Sequence, residues 1–127
     1  FDAEGAITGP WGVAIDGNDN VWVASSTSHS ITQLCGVRTE TCPPGLKTGD
    51  PISPAQGYVG GLQTVAPIAV DPAGNVWVGN GWNDTEAGFS EDPPEAQSTQ
   101  FSAHTIVVFF GMAKPVKTPL IGPVVAQ

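Results

Sequence analysis

Oxygen donors able to hold a hard cation concentrate in one stretch of the chain: Asn80, Asn83, Asp84 and Glu86, followed by Glu91, Asp92 and Glu95. Calcium or magnesium takes about six to eight oxygen ligands from carboxylates, carboxamides, carbonyls and water. An acidic solvated loop has the same composition, so a Ca2+ or Mg2+ site and a bare loop stand as alternatives. No other cofactor is called for. Trp82 lies inside this stretch and Trp11 just ahead of the first β-prone run, so Trp82, Asn83, Asp84 and Trp11 are candidates to contact a protein or a polysaccharide. A second donor set, Asp16, Asn18, Asp19 and Asn20, has calcium-like spacing but no distal bidentate Glu, and a hairpin turn accounts for it better. Asn83-Asp84-Thr85 is a glycosylation sequon, meaningful only in a eukaryotic secretory pathway. The chain has no Gly-x-Ser-x-Gly, His-Glu-x-x-His or phosphate-loop string, so a non-catalytic role is expected. Cys35 and Cys42 flank a short loop followed by Pro43, Pro44 and Gly45. This favours a local disulfide over two free thiols, and no His pair stands nearby to complete a zinc site.

The elements that position these residues come from an internal repeat. Asp71-Pro72-Ala73-Gly74-Asn75-Val76-Trp77-Val78 is a near copy of Asp16-Gly17-Asn18-Asp19-Asn20-Val21-Trp22-Val23. A unit used twice is one that buries its apolar face against its own copy. Each copy reads as three strands. In the first they are Gly12–Ile15, Val21–Ala24 and His29–Leu34; in the second, Pro67–Asp71, Val76–Gly79 and His104–Phe109. The tight connection after Asp16 and Asp71 requires a positive φ at Asp19 and at Gly74. Trp22 and Trp77, flanked by valines at equivalent positions, are expected in the core. From Cys35 onward periodicity disappears among prolines and glycines, and residues 35–64 read as a loop insertion. A second insertion, 80–102, separates the last two strands of the second copy. The end, 111–127, carries Pro115, Pro119 and Pro123 and is expected to run extended, as a strap or a tail.

Composition bounds the function. With 40% hydrophobic and 13% charged residues, the 127-residue chain holds enough apolar surface for a single β domain, 1–127, and is not disordered. Twelve acidic against four basic side chains give a net charge of −8, which repels phosphate backbones and excludes nucleic acid as a partner. No apolar run reaches the length of a membrane span. The first residue is Phe1, so a processed or excised segment is expected, with a signal peptide upstream. The cysteine pair and this composition together point to an extracellular or periplasmic protein.

Three spaced elements occur twice and carry a resemblance. Pro10-Trp11-Gly12-Val13-Ala14-Ile15-Asp16, Asn20-Val21-Trp22-Val23-Ala24 and His29-Ser30-Ile31 resemble the NHL repeat of β-propellers, and residues 65–110 repeat the pattern. The resemblance covers 9–34 as a first repeat and 65–110, with its insertion, as a second. It implies an all-β fold of NHL-like β-propeller blades built from short antiparallel strands. Because two blades do not close a propeller, it also implies a C-terminal part of a longer propeller or an inter-chain assembly, with self-association or a protein partner. It places His29 and His104 at the repeat's His position, where the imidazole bonds a neighbouring turn. Ala66-Pro67 replaces the second copy's Pro-x-Gly, and the usual Asp-Ser-Gly-Asn-His string is missing from both connections. Related propellers include streptogramin lyases and gluconolactonase-like hydrolases, which implies a metal-dependent lyase or lactonase as the alternative function. The lyases' Thr-Glu after the middle strand is Ala24-Ser25 here and Gly79-Asn80 in the second copy, so only Asn80 matches a metal set of the hydrolases. The resemblance therefore implies a binding or scaffold module of an exported protein, or an accessory subunit held to a larger assembly by its Pro-rich tail.

Overall fold

The computed structural model of the chain describes residues 5–81 and 105–116. Strands form where the sequence alternates β-branched and aromatic residues between Asp/Gly turns, and they fall close to the expected positions. The first sheet has β1 (Pro10–Ile15), β2 (Val21–Ser25) and β3 (Ser30–Leu34); the second has β4 (Val65–Val70), β5 (Val76–Asn80) and β6 (Thr105–Phe109). Both are three-stranded, antiparallel and in sequence order, so the described fold is all-β. A 3-10 turn at Thr39–Thr41 is the one helical turn among the described residues.

Register decides which side chains meet. In the first sheet Ala14, Trp22 and Gln33 are opposed across the strands, as are Ile15, Val21 and Leu34. Side chains alternate along a strand, so this sheet has a tryptophan face, with Ala14, Trp22, Ala24 and Ile31, and a valine face, with Val13, Ile15, Val21, Val23 and Leu34. The second sheet repeats the division. Its valine face carries Ile68, Val70, Val76, Val78, Val107 and Phe109, and its tryptophan face carries Ala69, Trp77, Ile106 and Val108. The core forms where the tryptophan face of the first sheet packs on the valine face of the second, burying Trp22, Ala24, Ile31, Val65, Val76 and Val78. Gly12 lets β1 approach β4 here, because a Cβ would collide with the Ala66 carbonyl and crowd Ile68.

Two segments that look irregular in the sequence close this frame. Residues 35–62 fold back along the open edge of β3. Ile31 and Tyr58 exchange backbone N–H···O bonds of 3.0 and 2.8 Å, Ile52 N–H reaches the Gln33 carbonyl at 2.7 Å, and Cys35 N–H reaches Asp50 at 2.8 Å. The segment thus satisfies donors and acceptors that an edge strand would otherwise expose. Tyr58 stacks on Trp22 with centroids 5.9 Å apart, and burial raises its phenol pKa. Part of the expected tail is built in as well. Ala113 N–H bonds the Gly74 carbonyl (3.0 Å), Val116 N–H the Asp71 carbonyl (3.4 Å), and Gly17 N–H the Lys114 carbonyl (3.1 Å). Residues 111–116 therefore tie the hairpin turns of both sheets together, and Ala113 is buried in the core. Residues 117–127 lie outside the described residues.

Cys35 and Cys42 form a disulfide with Cα atoms 5.8 Å apart. It closes the bend by which the chain leaves β3. Replacing both with alanine lowers the unfolding free energy by about 2–3 kcal/mol on the loop-closure relation for so short a loop. Urea unfolding of the oxidised wild-type chain and the Cys35→Ala/Cys42→Ala variant measures the difference.

Candidate functional site

The chemistry-bearing residues best defined by the fold are Asp16 and Asp71, and both act as clamps. At Asp16, Oδ1 accepts the backbone N–H of Asn18 (2.8 Å) and of Asn20 (3.1 Å), while Oδ2 accepts the Trp22 indole N–H (3.1 Å). At Asp71, Oδ1 accepts from Ala73 (2.8 Å) and Asn75 (2.9 Å), and Oδ2 from the Trp77 indole (2.9 Å) and the Asn75 carboxamide (2.9 Å). The backbone bonds match too: each Asp N–H reaches the carbonyl four residues on, and each Asp carbonyl accepts from the residue three on. That last residue has a positive φ in both copies, 63° at Asp19 and 83° at Gly74, as the turn requires. Asp19 tolerates the strained conformation as Asp and Asn do, and its carboxylate pairs with Arg38, which also donates to the Gly17 carbonyl. The calcium-like spacing around Asp16 is thus a hairpin turn whose carboxylate is saturated by N–H donors.

The two clamps hold tryptophans in different surroundings. Trp22 is fully buried, whereas Trp77 is 42% exposed. Both were expected in the core. The difference follows from the stacking, since the tryptophan face of the first sheet meets a valine face and no described residue supplies one for the second. The first sheet's valine face is half covered by the chain itself, with Ala6 packed on Val23 and Leu34 and Ile7 beside them, while Val13 and Ile15 on β1 stay exposed. At the end of this face a cleft of about 480 Å3 lies between Ile15, Asp19, Val21 and Leu34 of the sheet and its turn and Val37 and Thr48 of the following loop. Sequence reasoning missed this cleft, although the alternation of Val13 and Ile15 with small residues along β1 was its signal.

The other candidates separate. Trp11 is 75% exposed, inside β1 rather than ahead of it, at the irregularity between Pro10 and Gly12. Asn80 is buried at the end of β5. Its Oδ1 accepts the Gln63 N–H (2.6 Å) and its amide donates to the Gly61 carbonyl (3.4 Å), so it fixes the turn leading into β4. Its expected ligand partners Asn83, Asp84 and Glu86 lie outside the described residues, as do Trp82, Glu91, Asp92, Glu95 and His104. No group of three or more His, Cys, Asp or Glu side chains comes together among the described residues. His29 sits just before β3 with a positive φ of 53°, and its exposed imidazole bonds no turn among the described residues, where the resemblance had implied such a bond. No described helix is long and apolar enough to cross a membrane.

In comparisons with known proteins, the chain matches no protein-family model and no curated protein.

Two outcomes follow from the clamps. Asp16→Ala leaves the indole N–H of a fully buried tryptophan and two turn N–H groups without their acceptor, at a cost of about 2–4 kcal/mol in stability. Asp71→Ala costs less, because its donors meet water; chemical denaturation of both variants checks the order. The Trp77 indole and then the Asn75 N–H lower the Asp71 carboxyl to about 2. In the unfolded chain the group titrates near the ordinary value of about 3.9 and takes up its proton first as pH falls. Its stabilisation is therefore complete above about pH 4 and is lost as pH falls through about 2. Melting temperatures across that range fall for the wild type, and Asp71→Asn removes this share of the dependence.

Proposed function

We propose that the chain is a non-catalytic binding or scaffold module of the NHL-like β-propeller kind, exported, that contacts a protein or a polysaccharide through its insertions. The observation that carries this reading is the 35–64 insertion. Backbone pairing along β3 and a disulfide hold it in place, while Val59 and the Pro43-Pro44-Gly45 tip stand in solvent. A long loop held on a sheet presents a preorganised surface, which lowers the ordering cost of binding. The chemistry that repeats points the same way, since Asp16 and Asp71 are occupied by turn and indole donors rather than open to a substrate. The disulfide suits an oxidising compartment, which supports an extracellular or periplasmic location.

The repeated Asp-turn-Trp hairpin, the short antiparallel strands and the face-to-face sheets all support the propeller assignment. The accessory-subunit reading narrows: 111–116 is engaged with both hairpin turns, so a contact made by the tail falls to residues 117–127, which lie outside the described residues.

Oligosaccharide and protein arrays probed with the chain test this function. A ligand is expected whose affinity falls at least tenfold in a Val59→Asp variant that keeps the wild-type unfolding midpoint. Turnover of a lactone in the presence of Ca2+ or Mg2+ would overturn the non-catalytic assignment.

A further inference from the structure

The two sheets differ in what lies along their last strand. At β3 the backbone groups that point away from β2 are those of Ile31, Gln33 and Cys35, and the 35–62 segment takes all three. Ile31 exchanges both bonds with Tyr58, Gln33 accepts from Ile52 (2.7 Å) and donates to the Ser53 hydroxyl (3.2 Å), and Cys35 accepts from Gly49 and donates to the Asp50 carbonyl, both at 2.8 Å. The repeat carries this pattern onto β6. Phe109 opposes Val76 as Leu34 opposes Val21, and Gly111 donates to the Asn75 side chain as Gly36 donates to that of Asn20. Ile106, Val108 and Phe110 are therefore the counterparts of Ile31, Gln33 and Cys35, with N–H and C=O groups directed away from β5. No described residue pairs with them on that side, and Ile106 is 68% and Phe110 80% exposed. The first sheet also shows what an occupant of such an edge contributes, since Tyr58, opposite Ile31, lays its ring on Trp22. The same place opposite Ile106 lies beside Trp77, which is half-exposed.

We infer that the β6 edge is a docking site for an extended segment of another protein, which pairs with Ile106, Val108 and Phe110 and places an aromatic side chain opposite Ile106, against Trp77. Main-chain bonds along the edge supply affinity, and alternate side chains of the added strand supply specificity. The occupant is a single strand rather than the sheet edge of a second folded copy because of what lies beneath β6. There the 35–62 segment widens the first sheet beyond β3, and Gly60 stands so close to the Phe109 ring that a Cβ would collide with it. A folded sheet brought alongside β6 meets that segment, whereas one extended strand lies over it. Charge defines the rest of the partner. The side chains from Ile106 to Phe110 are all apolar and the chain carries a net charge of −8, so the segment is uncharged where it pairs and neutral or basic in its flanks.

This site lies apart from the exposed tip of the insertion, so it is tested separately from the function proposed above. Amide hydrogen exchange of the free 127-residue chain, followed by NMR, is expected to show the Ile31 N–H protected and those of Ile106, Val108 and Phe110 exchanging rapidly. Protection of these three in the free chain means that the edge is already covered and overturns the inference. Titration to about 1 mM with the peptide Lys-Val-Thr-Val-Thr-Tyr-Lys, whose Tyr and two Val residues pair with Ile106, Val108 and Phe110, is expected to protect the β6 amides. Replacing the peptide's Tyr by Ala weakens binding by at least about threefold. N-methylation of the Val opposite Val108 abolishes binding, and N-methylation of a neighbouring Thr, whose N–H points away from β6, leaves it in place. Val108→Pro removes the outward N–H from the chain, a change that an edge strand tolerates, and abolishes binding too. The methylated peptides give the same answer without requiring a variant to fold. Absence of binding by this peptide and by its Phe and Trp counterparts at about 1 mM overturns the inference. So does binding that leaves the β6 amides exchanging or that is insensitive to N-methylation.

Discussion

The structure depends on a carboxylate that hydrogen-bonds in two directions at once. Asp16 and Asp71 each fix a hairpin turn through backbone N–H groups and, with the other oxygen, hold the tryptophan of the following strand. A hairpin whose turn is fixed has its register fixed, and a slip of one residue would move every side chain to the opposite face. The clamp therefore decides that Trp22 and Ala24 point one way and Val21 and Val23 the other. It also explains why the turn sequence is kept between the copies while the connections around it vary. The carboxylate makes bonds that only an acceptor with two oxygens can make together.

From that register follows the way the sheets combine. Each sheet has two different apolar faces, and the internal core uses one of each. A repeat that stacks in a single direction ends in two unlike faces, and here the valine end is partly covered by Ala6 and Ile7 while Trp77 at the other stays 42% exposed. The segments added to the repeat serve the stack in different ways. Residues 35–62 pair with the edge of β3 and bring Tyr58 onto Trp22, so the insertion contributes to the core as well as to the surface. Residues 111–116 join the two turns, adding backbone bonds to a contact otherwise made by side chains. A core spread over two small sheets gains much from such cross-ties, because small domains bury a lower fraction of their surface than large ones.

The sequence carried the strands and turns well, because they depend on local signals. Alternation around Val21 and Val76, the Asp residues and the positive-φ positions at Asp19 and Gly74 all lie within a few residues of what they determine. The disulfide was legible for the same reason. What was not legible depends on partners distant in the chain. Nothing local marks Ile52 or Tyr58 as pairing with β3, since the surrounding prolines and glycines erase any alternation. The burial of Trp22 and the exposure of Trp77 cannot be told apart from nearly identical octapeptides, because the difference lies in which sheet is packed against each. Among the candidate ligands, Asn80 is legible as a polar residue at a strand end. Its use in bonding Gln63 and Gly61 depends on a turn that no periodicity reveals.

The same distinction limits what a repeated residue can say about function. When a chemically capable side chain occurs twice in equivalent surroundings, the repeat itself accounts for it, as the paired clamps do for Asp16 and Asp71. Features that occur once, or whose environment differs between copies, need another cause. The 35–64 insertion, the exposed Trp11 and the contrast between Trp22 and Trp77 are of that second kind. They share a physical character, since all place apolar side chains on or beside rigid β-structure in a strongly acidic chain. Apolar contact surfaces held rigid cost little to order on binding, and the surrounding negative charge opposes indiscriminate association of acidic molecules. The chain thus commits its repeated carboxylates to its own turns, while the apolar side chains that the repeat does not account for, Trp11, Val59 and Trp77, stand in solvent.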